Sequence, residues 1–286
     1  MKKIKYFFEF IFIITFFFIF KIIGYKNATT LGEIIGKKIG PFFRSNSKIH
    51  KNLEISNIGN SHHEREVVIN NMWGNYGRIF AEYMFIRKFR QNGLSKNIEI
   101  IGQNFLEEIK KNKEPVVFIS GHFNNFELMA MHIEKSEIDL AAIYRPLNNI
   151  FLNPIMERIR KNFICKKQIK KGISGTKEIL KYFKAGTSVA LMVDQRVSEG
   201  ISCNFFNRKA FTTTIPAQFV KKFNCKIVPI YIERVNKNQF KLEILKPLDF
   251  SKNDNIETIT LEINSAIEEM VKKNPEQWIW THDRWK

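Results

Sequence analysis

The chain has 286 residues, 44% of them hydrophobic, and a formal net charge of +18. Length and apolar content exclude a disordered chain and allow a sizeable core, while the charge calls for acidic partners: nucleic acid, an anionic membrane surface, an acidic protein or a phosphorylated substrate. Cys165, Cys203 and Cys225 are odd in number and lack any Cys-x-x-Cys spacing, which excludes a disulfide framework and a thiolate zinc site and fits a reducing compartment.

Residues 1–26, MKKIKYFFEFIFIITFFFIFKIIGYK, open with a basic cluster and run on through an apolar stretch from Tyr6 to Tyr25, broken by Glu9, Thr15 and Lys21. About 20 apolar residues suffice to span a bilayer as a helix. No small-x-small cleavage site follows, so the expectation is an uncleaved membrane anchor over 1–26, spanning or lying in the interface, ahead of a single domain over 27–286. Lysines flank the segment on both sides, so the positive-inside rule leaves its orientation open.

Helical patterns follow. The clearest opens at Ser61, where Ser-x-x-Glu with Glu64 reads as a capping box, and continues through Val68, Met72, Ile79, Tyr83 and Ile86. The rhythm changes at residue 115. PVVFIS predicts a strand, FELMAMHI a helix and IDLAAIY a strand; helices follow over 151–163 and 174–183. TSVALMV predicts a strand, 215–223 a helix, CKIVPIYIE a strand and FKLEIL an edge strand. Thr214 before Ile215-Pro216 reads as an N-cap, and the last long helix covers 255–274. Strands alternating with helices predict an α/β fold: one domain with a central mixed sheet flanked by helices.

SGHFNNFE (120–127) follows the first of these strands. A histidine with an acid five positions on is a common coincidence, and His132 with Glu137 repeats it. Position separates the two. In an open α/β sheet, ligands bind beyond the carboxyl ends of the strands. His122 stands just past such an end, after Gly121, which permits a tight turn, whereas His132 falls inside a helix and Glu137 beyond it. Glu127, in the first turn of the next helix, is expected to reach back to one ring nitrogen of His122; a carboxylate there fixes the tautomer and stabilises the imidazolium. Ser120 is not set in a nucleophile elbow and Cys165 has no neighbouring His, so the pair offers a general base without an enzyme nucleophile. That suits direct attack by a substrate hydroxyl on an acyl donor.

SGHFNNFE resembles the His-x-x-x-x-acid motif of the glycerolipid acyltransferase superfamily. With IYRPLNN (143–149), LMVDQR (191–196), FFNRKAFTTTIPAQF (205–219) and PEQWIWTHDRW (275–285), the whole chain is similar to the lauroyl and myristoyl acyltransferases that add secondary chains to lipid A in Gram-negative bacteria. The glycerol-phosphate branch carries a Pro-Glu-Gly block where this chain has Asp194-Gln195-Arg196, a departure that favours lipid A.

The resemblance implies that residues 27–286 are an acyltransferase domain, in which His122 deprotonates a hydroxyacyl chain of a phosphorylated lipid A precursor and Glu127 orients the imidazole. The donor would be acyl-acyl carrier protein, which is acidic and cytosolic. The domain would then face the cytoplasm on the inner membrane, seated on anionic lipid. Arg145 would serve a developing oxyanion or an acceptor phosphate. Asp194 and Arg196 would bind a sugar headgroup or hold the His122 loop. Asn125 and Asn148 would hydrogen-bond sugar or phosphate; Arg208, with Lys209, would meet a phosphate or the carrier protein. Trp278, Trp280 and Trp285 around Arg284 read as packing. His62-His63-Glu64 invites a metal, but adjacent histidines lie on different helix faces and no third ligand is suitably spaced, so neither metal nor cofactor is expected. The other readings are an acyltransferase for a glycerophospholipid, phosphoinositol mannoside or ornithine-type lipid, and a membrane-tethered nucleic-acid binder. Against the last, the chain has no helix-turn-helix signature, RNP aromatics or zinc finger.

Overall fold

Every residue of Val117–Ser120 (β2) is buried, as befits a strand covered by helices on both faces. A computed structural model, which describes residues 2–286, sets it in the middle of a seven-stranded sheet. The other strands are β1 (Ile98–Ile101), β3 (Leu140–Tyr144), β4 (Lys167–Lys170), β5 (Ser188–Met192), β8 (Ile227–Asn236) and β9 (Gln239–Ile244), while β6 (Ile201–Phe205) and β7 (Arg208–Thr212) form a separate antiparallel hairpin. The sheet order is β1-β9-β8-β2-β5-β3-β4. Only β8 and β9 pair antiparallel, so the sheet is mixed, as expected.

The helices are α1 (Lys2–Ile39), α2 (Asn46–Ile55), α3 (His62–Glu82), α4 (Ile86–Arg90), α5 (Gln103–Asn112), α6 (Glu127–Lys135), α7 (Asn153–Phe163), α8 (Ile173–Lys184), α9 (Ile215–Phe223) and α10 (Ile256–Lys273). α3 starts at the expected box: Ser61 Oγ accepts from the Glu64 N–H at 3.1 Å, and Glu64 reaches back to the N–H of Asn60 at 2.7 Å.

α1 is long and apolar enough to cross a membrane. Its first half shows Ile4, Phe8, Phe12, Phe18 and Ile22 to the outside, and it kinks at Gly24, whose φ of 79° lies where side-chain-bearing residues are strained. Beyond the kink the helix locks against α3. A Cβ on Gly77 would stand 1.8 Å from the Gly32 carbonyl oxygen, and one on Gly36 would stand 2.1 Å from that of Trp73. Glycine is the only residue that lets these two backbones touch.

Two readings are corrected. FKLEIL, in β9, is interior; β1 covers it, and the edges are β1 and β4. Neither edge strand was legible, because β1 is only four residues long and β4, KQIK, buries a single side chain. Thr214 stands at the N-cap position of α9 as expected, but its side chain caps no backbone N–H: its Oγ1 instead accepts from the side chain of Gln218 at 3.0 Å, one turn into the helix.

Candidate active site

The parallel pairing of β2 with β5 sets Ser120 beside Met192. Two residues further along each strand, the same register brings His122 abreast of Asp194. Asp194 is fully buried, and its carboxylate accepts three hydrogen bonds of 2.8 Å: from Nδ1 of His122, from the backbone N–H of His122, and from Nε1 of Trp278. Gly121 makes this approach feasible. A Cβ there would meet the Phe123 ring at 2.7 Å and an Asp194 oxygen at 3.1 Å, so the glycine is needed for closeness rather than for a special φ.

The partner that orients His122 is therefore Asp194, from the next strand, and not Glu127. A carboxylate receiving Nδ1–H leaves Nε2 with the lone pair. Nε2 makes no hydrogen bond among the described residues; the ring, with 22% of its side chain exposed, lines a cavity of about 260 Å³. Burial alone would lower the His122 pKa, but the charge and hydrogen bond of Asp194 outweigh it and raise the pKa above its ordinary 6.5. Burial likewise opposes ionisation of Asp194, yet His122 and Trp278 hold its pKa below the ordinary 3.8. Phe126 packs edge-on against the imidazole, with centroids 5.1 Å apart, and fixes its other side.

Glu127 opens α6 and lines the same cavity, but its carboxylate is committed elsewhere. Arg160, on α7, binds it at 2.8 Å, and the Tyr83 hydroxyl donates to the same oxygen. This pairing raises the Arg160 pKa against the opposing effect of burial. Arg160 also sits over the Tyr144 ring, and its buried Nη1 has no partner among the described residues.

The remaining expected residues divide. Arg145, just past β3, is exposed and lines the cavity with Lys170 and Lys171. Asn125 is fully buried and donates to Glu82 at 2.9 Å, so it cannot meet a substrate. It belongs to a polar cluster under the His122 loop. Arg234, on β8, pairs with Glu82 at 2.8 Å and donates to Asn124 at 3.1 Å, while Gln277 accepts from Asn124 at 2.6 Å. Asp194, being buried, holds the loop and does not bind a headgroup. Asn148 is exposed and outside the cavity wall; its neighbour Asn149 is the anchored one, donating to the Tyr6 carbonyl of α1 at 2.8 Å. Arg196 donates to the Lys286 carbonyl and to Ser198, and Arg208 lies on the exposed β6–β7 hairpin; neither lines the cavity.

His132 is what its position suggested: its Nε2 meets Gln103 at 2.8 Å, and burial lowers its pKa to about 4. Arg284 packs as expected, donating to the Phe211 carbonyl and to Thr212 Oγ1 at 2.7 Å each. Trp278 does more than pack, since its indole N–H fixes Asp194. Three residues of the centre went unread: Trp278 as a donor, and Arg160 and Tyr83 as partners of Glu127. A buried carboxylate needs donors, so the demand was foreseeable, but nothing in the spacing says which elements supply them.

The cavity wall combines cations with an apolar lining that includes Ala142, Ile164, Ala190 and Ile215. It suits a substrate with both acyl and anionic parts. Comparison with known proteins agrees. The family model described as bacterial lipid A biosynthesis acyltransferase matches residues 1–286. The lipid A biosynthesis lauroyltransferase of Escherichia coli (strain K12) is 24% identical over 271 residues, covering 92% of this chain and 86% of that protein. The myristoyltransferase and palmitoleoyltransferase of the same organism are 22% and 23% identical, covering 87% and 92% of this chain. An imidazole beyond the carboxyl end of the central strand, held by a buried acid, a cationic and apolar cavity and a match along the entire sequence lead to one conclusion: the chain belongs to the bacterial lipid A biosynthesis acyltransferase family.

Proposed function

We propose that the protein transfers a fatty acyl chain from acyl-acyl carrier protein to a hydroxyl on a hydroxyacyl chain of a phosphorylated lipid A precursor. His122 Nε2 takes the hydroxyl proton as the oxygen attacks the thioester carbonyl. The tetrahedral adduct then expels the carrier thiolate, which recovers the proton from the imidazolium, and no covalent enzyme intermediate forms. Asp194 keeps the imidazole in the basic tautomer. Arg160, with its unused Nη1, meets the developing oxyanion, and Glu127 holds Arg160 in place. Arg145, Lys170 and Lys171 receive the acceptor phosphate at the mouth.

The observation that carries this reading is the 2.8 Å contact between His122 Nδ1 and Asp194 with the imidazole at the cavity wall. The net charge of +18 favours an acidic carrier protein and anionic inner-membrane lipid, each Lys or Arg near such a surface contributing about 1 kcal/mol. An acidic cytosolic donor places the domain on the cytoplasmic side of the inner membrane, with α1 as its anchor.

The test is transfer of a labelled chain from acyl-acyl carrier protein to lipid A precursor, with products weighed by mass spectrometry. Wild type should add one chain, and His122→Ala should lose about 10²–10⁴-fold in kcat while keeping its circular dichroism spectrum. Transfer to a glycerophospholipid but not to the precursor would replace the acceptor. Transfer from acyl-coenzyme A but not from the carrier protein would replace the donor.

A further inference from the structure

Away from the cavity, the fold assembles a cluster that neighbouring spacing argued against. His62 and Glu66 stand one turn apart on α3, and α2 supplies His50 from the other side. The three side chains offer one ligand atom each, all within 4.8 Å of one another. His63 and Glu64, the sequence neighbours, take no part.

We propose that His50, His62 and Glu66 form a binding site for a divalent transition-metal cation of the zinc class. Two imidazoles and a carboxylate are a recurrent zinc set, completed by water at a fourth position. His50 Nε2 and Glu66 Oε1 lie 2.5 Å apart, a separation that two lone pairs tolerate only with a proton or cation between them. A cation in place of the proton, at about 2.0–2.1 Å from each ligand, opens this gap to about 3 Å. The His50 and His62 rings lie side by side, with centroids 4.7 Å apart and planes at 17°, so a small turn of the exposed His62 ring is needed to bring its lone pair onto a cation shared with His50 and Glu66. Arg65, between the two α3 ligands, turns away to Glu54 and to the Gly59 carbonyl. His62 is exposed and leaves the site open to ions from solvent.

The site fastens a strap that reaches the buried acid of the active centre. Two residues after His50, Asn52 donates both amide hydrogens to the carbonyls of Trp280 and His282, at 2.8 Å each. That C-terminal segment carries Trp278 to Asp194. A metal tying α2 to α3 stiffens the strap without touching the cavity.

The test uses the untagged full chain in detergent, with Zn2+ or Co2+ alone as the probe. We expect one Co2+ per chain with a visible ligand-field band that Zn2+ displaces, and a melting temperature that rises with Zn2+. His62→Ala removes an exposed ligand with no hydrogen bond among the described residues, so the fold should survive. Its Zn2+ affinity should drop about ten-fold or more, and the thermal shift should vanish. Glu66→Gln should behave the same way. Absence of stoichiometric binding, or a smaller drop in both variants, overturns the proposal.

Discussion

Replacing Asp194 with Asn removes one of two acceptor oxygens from a group that receives three donors. The His122 backbone N–H and the Trp278 indole N–H share one carboxylate oxygen, and His122 Nδ1 uses the other. The amide oxygen serves the two-donor side best, because turning the amide NH2 there would leave two buried donors unpaired at about 1–3 kcal/mol each. The NH2 then faces Nδ1, which must give up its proton, and the proton moves to Nε2 in the cavity. A base becomes a donor. The expected loss in kcat is about 10²–10⁴-fold, or about 2.7–5.4 kcal/mol of barrier. The pH profile gives a second readout. With the His122 pKa raised above 6.5, wild-type activity should climb with pH through a limb lying above that value, since only neutral imidazole is a base. Without the Asp194 charge the limb should move to lower pH. The assay is kcat against pH from 5 to 9 on both proteins, with circular dichroism confirming the fold. Asp194→Asn within about three-fold of wild type, with the limb unmoved, would refute the assignment of Asp194 as the orienting group.

Glu127→Gln should lower kcat by freeing Arg160 and, because the Glu127 charge adds less to the raised His122 pKa than Asp194 does, should move the acid limb down less than Asp194→Asn; a larger movement with this variant than with Asp194→Asn would restore Glu127 as the partner of His122. Glu82→Ala strands Arg234 in a buried site, so chemical denaturation should report a loss of about 3–5 kcal/mol. Gly77→Ala drives a methyl into the Gly32 carbonyl at 1.8 Å; the expected loss is about 1–3 kcal/mol, read by melting temperature, because the α1–α3 crossing must spread. The His122–Asp194 pair should also shape stability against pH. Asp194, with its pKa depressed, contributes above 3.8 and loses that as pH falls through its folded value; His122, with its pKa raised, contributes below 6.5 and loses that as pH rises through its own. Their joint contribution is therefore greatest between these two ordinary values, and denaturation of wild type against His122→Ala across pH 3–9 measures it.

The class of fold was legible along the chain, and so was the strand end that carries His122. Buried strands such as VFIS need apolar runs, and a helix apolar enough to cross a membrane shows as a 20-residue apolar start, so both were plain to read. A histidine two residues past a strand end has to emerge at the carboxyl ends of the strands, and there His122 lines the cavity. Tertiary structure alone decided its partner. The acid five residues on was the natural choice in one dimension, yet strand pairing set Asp194, 72 residues away, at 2.8 Å. Glu127 turned instead to Tyr83, just past α3, and to Arg160 on α7, because a carboxylate at the start of a helix meets whatever donors the packing delivers. Asn125 was lost to the substrate for a related reason: an amide buried beneath a loop must spend its hydrogen bonds on the protein. Even the glycines at 32, 36 and 77 show their purpose only once two helices cross. Local pattern records which face of an element is buried; which elements meet there is set by register and packing between residues far apart in the chain.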